Sequence, residues 1–218
     1  MKYAIFDLDG TLADSMPYWK QLYLEYLKQR GVASPPLDTM IQASPMTARE
    51  AAAFFAQTFG LSDTPDQAVV EFNRLMEEHY RGDVRLKPGV PEFLRALQAA
   101  GVTMCVASAT AGPLVETCLE CLGIRTYFSF VLSCVEVGVG KKQPDVYLEA
   151  ARRMGATPEE TFVFEDAIYA ARTAKRAGFL LAGVCDSAAE DMQEELKALS
   201  DCYITRWDDP ALPKRLGI

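Results

Sequence analysis

The stretch IFDLDGTLADS, residues 5–15, decides how the rest of the chain is read. An apolar run stops at Asp7, a second acid follows at Asp9, and the chain turns at Gly10-Thr11. Two carboxylates this close repel each other, and partial burial raises the cost of ionising both. A sequence that keeps them there needs something to offset that cost. The other strand ends are the places to look for it.

Composition sets the outer bounds. The chain has 218 residues, enough for one sizeable core or a core with a small insertion. Half of it is apolar and 24% is charged, the profile of an ordinary globular protein. A formal net charge of -8 repels phosphodiester backbones, so nucleic acid is not an expected partner. The opening MKYAIFDLDG is too short for a signal peptide and no later run is long enough to span a membrane. Cytoplasmic residence is expected, with the six cysteines as thiols. Cys118 and Cys121 form a CxxC, but Val115, Cys118, Leu119 and Leu122 make one apolar helical stripe, which points to core packing.

Outward from the quoted stretch, short apolar runs occur at 2–6, 102–107, 129–133, 161–164 and 180–185. Helical patterns over 91–100, 112–122, 146–154, 168–177 and 188–199 separate most of them. In the last of these, Ala189, Met192, Leu196 and Leu199 are expected to face inward, with Glu190, Asp191, Glu194 and Glu195 outward. Strands alternating with helices predict a parallel sheet of βαβ units, and runs apolar throughout suit strands covered on both faces. The stretch 14–86 differs, with several helical patterns and no strand. Trp19, Leu22, Tyr23 and Tyr26 share a face of its first helix, and Gly31 marks that helix's end. Thr47-x-x-Glu50 and Thr64-x-x-Gln67 read as capping boxes, the second with Pro65 at the first helical position. A helical module of about 70 residues therefore interrupts the sheet domain after its first strand.

Ligands of parallel α/β sheets gather beyond the carboxyl ends of the strands. There the first strand delivers Asp7 and Asp9, the second Ser108, and the fourth Glu165 and Asp166. The loop after the third carries Lys141 and Lys142. Four acids would repel one another strongly unless a cation sat among them. Carboxylates supplemented by water and substrate phosphate suit Mg²⁺, and the metal with Lys141 would neutralise a bound phosphate. Other readings exist for each piece. Asp-x-Asp-Gly can be a simple turn, Ser108 is expected to cap the helix after it, and adjacent lysines are often solvated. The run VGVGKK at 137–142 lacks the spacing of a phosphate-binding P-loop. His79, the single histidine, falls near the end of a helix in the inserted module and reads as structural.

Taken together, the chain resembles the haloacid dehalogenase superfamily, in its branch of Mg²⁺-dependent phosphotransferases with a helical cap. Four motifs carry the resemblance in order: Asp7-Leu-Asp9-Gly10-Thr11; Ser108 in VASAT; Lys141 with Pro144-Asp145; and Glu165-Asp166 before an alanine-rich helix. The resemblance implies a Rossmann-like parallel sheet core, residues 1–13 and 87–218, with an inserted all-helical cap, residues 14–86. It implies that Asp7 is a nucleophile forming an aspartyl-phosphate and Asp9 a general acid and base. Asp7, Ser108, Ala109 and Lys141 would hold the phosphate. Asp7, Asp9 through its carbonyl, Asp166, and Glu165 either directly or through water would hold Mg²⁺.

The expected activity is hydrolysis of a small phosphorylated metabolite by a monomer or weak homodimer. The alternatives are a phosphomutase of the β-phosphoglucomutase type and a non-catalytic phospho-aspartate sensor. Trp19 stands where such a mutase has histidine, and Met76 where its cap lysine is expected; both departures favour a phosphatase. Trp19 and Arg49 are the candidates for touching the leaving group. Their plainer readings are burial between helices and a solvated helix surface.

Overall fold

The computed structural model describes residues 1–43 and 46–218, with the backbone alone at 189–191. The chain divides into two compact units, Met1–Met16 with Val84–Ile218, and Pro17–Asp83.

In the first unit, β1 (Tyr3–Phe6) is followed, after the inserted residues, by α5 (Val90–Ala99) and β2 (Thr103–Ser108). Then come α6 (Gly112–Cys121), β3 (Val131–Ser133), α7 (Cys134–Val137), α8 (Asp145–Met154) and β4 (Thr161–Glu165). The chain ends with α9 (Ile168–Arg176), β5 (Leu180–Val184), α10 (Gln193–Leu199), β6 (Cys202–Ile204) and α11 (Leu212–Arg215). The six described strands form one parallel sheet in the order β3-β2-β1-β4-β5-β6.

The apolar strand runs are explained by burial on both faces. Ile5, Cys105, Ala107 and Val163 pack with Val146, Tyr147 and Ala150 of α8. Phe6 instead stacks on Phe164 at 4.2 Å, and Trp207 stacks on Phe164 from further out at 5.8 Å. The strand order reverses between β1 and β4, which is where such sheets open a crevice for ligands. Both acid-bearing strand ends flank that crevice.

Two expectations need correction here. β6 is absent from the five strands expected from sequence, because a three-residue edge strand is too short to show a periodic pattern. The other is the single helix expected over 188–199 with Met192 inward. Residues 187–192 instead wind as a 3₁₀ helix and Met192 is 41% exposed. Three residues per turn shift the phase of the apolar stripe. Leu196 on α10 is buried as expected, and the side chains of Ala189, Glu190 and Asp191 lie outside the described residues.

The second unit is helical, formed by α1 (Met16–Gln29), whose first residue belongs to the other unit, α2 (Leu37–Ala43), α3 (Ala48–Phe59) and α4 (Pro65–Gly82). Both capping boxes are present: Thr47 and Thr64 each accept from the N–H three residues on, and Glu50 and Gln67 reach back. Tyr26, Phe55 and Phe72 form its interior, with Tyr26 edge-on to Phe72 at 4.8 Å and Tyr23 packed against both Phe55 and Phe72. His79 is held between Glu25 at 2.9 Å and Asp83 at 2.8 Å, and its ring lies 4.7 Å from Tyr18, a structural setting. Met76, on α4, is fully buried.

Candidate active site

The register of β1 against β4 builds the site. Phe6 pairs with Phe164, and the Asp7 N–H donates to the Phe164 carbonyl at 3.0 Å, one step beyond the strand. Asp7 therefore stands beside Glu165, the last residue of β4. Lys141, from the loop between α7 and α8, is buried with them. Its Nζ donates to Asp7 Oδ1 and, at 2.5 Å, to Glu165 Oε1. Lys142 is exposed, so the spacing to Pro144-Asp145 selects the lysine that reaches the acids.

Asp166 extends the cluster and accepts from Thr11 Oγ1 at 3.1 Å. Carboxylate oxygens of Asp7, Glu165 and Asp166 lie within 4.8 Å of one another, all three residues buried. Gly10, at φ +81°, makes this possible, since the turn needs a positive φ and leaves no room for a side chain beside Asp166.

Asp9 is held apart from that trio by two hydroxyls. Ser15 Oγ donates to Oδ1 at 2.6 Å and Thr110 Oγ1 donates to Oδ2 at 2.8 Å. Ser108 is buried, and its Oγ accepts from the Thr110 N–H at 3.0 Å, which leaves the Ser108 O–H to donate. The expectation that Ser108 caps the next helix is wrong. The N-cap of α6 is Ala111, whose methyl side chain cannot cap, and Ser108 Oγ instead accepts from the Thr110 N–H in the turn before the helix. Ala109 lies exposed at the tip of that turn.

The site is short of positive charge. Burial holds the Asp7 carboxyl well above the usual carboxylate range; Lys141 opposes this, and Glu165, Asp166 and Asp9 add to it. Asp166 is pushed up to about 7, first by burial, then by Glu165 and Asp186, against the pull of Lys141 and Lys87. Lys141 loses solvation on burial, yet Asp7 and Glu165 outweigh that loss and it keeps its proton. Glu165 Oε2 is buried with no hydrogen-bond partner among the described residues. Three converging buried carboxylates with an orphaned oxygen fit a hard divalent cation.

The two residues expected to touch the leaving group belong to the helical unit. Trp19, on α1, is half-buried, and its Nε1 is buried without a partner among the described residues. Arg49, at the start of α3, is exposed and paired with Asp66. Sequence reasoning missed Ser15, Thr110 and Tyr147, whose hydroxyls reach the acids. A tyrosine on the buried face of a helix was the one available clue, because a buried hydroxyl must find a partner.

The family model of the haloacid dehalogenase-like hydrolases matches residues 1–178. The phosphoglycolate phosphatase of Escherichia coli O157:H7 is 32% identical over 193 residues, covering 79% of this chain and 77% of the relative. That of Salmonella paratyphi A is 31% identical with the same coverage. Among solved structures, a putative β-phosphoglucomutase from Thermotoga maritima superposes with a TM-score of 0.82 at 23% identity, covering 99% of this chain and all of that one. CbbY from Rhodobacter sphaeroides, in complex with phosphate, gives 0.80 at 22% identity, with 96% of each chain covered. The chain belongs to the haloacid dehalogenase-like hydrolases.

Proposed function

We propose that this hydrolase is a Mg²⁺-dependent phosphomonoesterase working through an aspartyl-phosphate on Asp7. Lys141 carries this reading. It is a buried cation bridging the ends of two neighbouring strands, beside three converging carboxylates. Such an arrangement suits an incoming phosphate and its metal, and has little use as a structural device, since buried ion pairs are weak stabilisers.

Asp7 attacks phosphorus through a carboxylate oxygen while the bond to the leaving alcohol breaks. Asp9, oriented by Ser15 and Thr110, gives its proton to the departing oxygen. It then takes a proton from the water that attacks the same phosphorus, releasing phosphate and restoring the Asp7 carboxylate. The Ser108 hydroxyl, the backbone at Ala109 and the Lys141 ammonium hold the phosphoryl oxygens as charge shifts. Asp7, Glu165, Asp166 and the Asp9 carbonyl would hold Mg²⁺, which when bound neutralises phosphoryl and carboxylate charge.

We assign the helical unit the role of cap, with Trp19 and Arg49 as the candidates for contacting the leaving alcohol, and read the protein as cytoplasmic. Among the described residues no helix is long and apolar enough to cross a membrane. Water, rather than a second sugar hydroxyl, is the acceptor: Trp19 stands where the mutases have histidine, and Met76 where their cap lysine is expected.

A panel of phosphomonoesters tests this, with 2-phosphoglycolate (after the relatives), hexose phosphates and nucleoside monophosphates, each with Mg²⁺ and with EDTA. Metal-dependent phosphate release from at least one supports the reading. Absence of release from all of them, or interconversion of hexose 1- and 6-phosphates without release, overturns it.

A further inference from the structure

Tyr147 has no part in the steps above, yet it is fully buried against the site. It sits on α8, six residues after Lys141, so the single segment Lys141–Tyr147 delivers two donors to the same acid. The Tyr147 hydroxyl donates to Glu165 Oε1 at 2.6 Å, and Lys141 Nζ donates to that same oxygen at 2.5 Å. The ammonium also lies 5.8 Å from the centre of the tyrosine ring. The ring in turn packs edge-on to Phe179 at 6.1 Å, which fixes its direction from behind. Two strong donors on Oε1 fix the rotation of the carboxylate. The other oxygen, Oε2, is buried and unpartnered among the described residues.

We propose that Tyr147 is a positioning residue for the cation site: with Lys141 it occupies Oε1 of Glu165 and so turns Oε2 toward the metal as the ligand atom. This rests on the Mg²⁺ reading above. Without the hydroxyl, Glu165 keeps only the lysine, and its carboxylate is free to rotate and share both oxygens with Lys141. Partners that orient metal-binding carboxylates typically contribute about 10- to 100-fold in metal affinity.

The test is a Mg²⁺ titration of wild type, Tyr147→Phe, Glu165→Gln and the double variant, read by calorimetry and by the metal-induced rise in Tm. Phenylalanine keeps the ring and its packing, and circular dichroism checks that the fold is kept. The expected result is Mg²⁺ binding about tenfold weaker in Tyr147→Phe. In the Glu165→Gln background the same change should add less than about twofold, because the hydroxyl acts through that carboxylate. The Mg²⁺ concentration for half-activation should rise while kcat at saturating Mg²⁺ stays within about twofold of wild type. If wild type binds Mg²⁺ and Tyr147→Phe binds it equally well, the proposal for Tyr147 is overturned and the metal reading stands. An additive loss in the double variant overturns it too. If wild type itself does not bind Mg²⁺, the metal reading fails and takes this one with it.

Discussion

Gly10 and Asp166 approach so closely that a β-carbon on the glycine would stand 2.8 Å from the Asp166 Cγ, and closer still to Oδ2. The turn that carries the chain past Asp9 and the acid that completes the cluster thus share one space. Gly10→Ala should displace Asp166 and force alanine into a positive φ, at a cost of about 1–3 kcal/mol in stability. Mg²⁺-dependent turnover should fall by about 100-fold, the usual penalty for an ångström of misplacement. Melting curves and steady-state kinetics check both.

Lys141 and Lys142 are neighbours with opposite surroundings, one buried on two carboxylates and the other exposed. Lys141→Ala strands two buried acids without their partner, a change that costs about 3–5 kcal/mol. For a chain of this size it should lower Tm in EDTA by roughly 10 °C. Added Mg²⁺ should recover part of that loss by supplying positive charge, while phosphate release stays at least about 100-fold down. Lys142→Ala should leave both quantities within error of wild type.

The metal-free protein should lose stability as pH rises. Asp166 is held at about 7 in the fold, mainly by burial and then by Glu165 and Asp186, against 3.8 for an ordinary aspartate. A raised carboxyl pKa means that the folded state binds the extra proton. The stabilisation is therefore full below pH 4 and disappears as pH climbs through about 7. In EDTA, Tm should fall between pH 5 and 8, and saturating Mg²⁺ should flatten that fall, since the cation takes over from the proton. A Tm in EDTA that rises over this range would contradict the charge balance described for the site.

Much of this site is legible in the sequence because of where its residues stand. Asp7, Ser108, Glu165 and Asp166 end or directly follow apolar runs too short to be helices, and a parallel sheet brings such ends to one edge. Lys141 is legible only by its spacing to Pro144-Asp145. Tyr147 is not, since a tyrosine on the buried face of α8 looks like any core aromatic until Glu165 is seen within 2.6 Å of its hydroxyl. Ser15 and Thr110 are hidden for a similar reason, as hydroxyls are common in loops and nothing local says which carboxylate they reach. Met192 is not legible from the apolar pattern because it ends a 3₁₀ segment that does not follow the α-helical period.

His79 supplies a separate pH test in the helical unit. Burial works against its charge, but the hydrogen bonds with Glu25 and Asp83 prevail and its pKa is raised above 6.5. Its contribution is thus full below pH 6.5 and lost as pH rises through the folded value. His79→Gln should lower stability at pH 5.5 more than at pH 8.5, measured by denaturant unfolding. An equal loss at both pH values would show that the ring acts by packing alone.

The nucleophile is the heart of the proposed reaction, and one comparison addresses it directly: phosphate release by wild type and Asp7→Asn on the best substrate of the panel, at saturating Mg²⁺. An amide cannot form the acyl-phosphate. The expected outcome is release by wild type and a loss of at least about 1,000-fold in the variant. Comparable turnover by Asp7→Asn would contradict the role given to Asp7 and, with it, the chemistry proposed for the site.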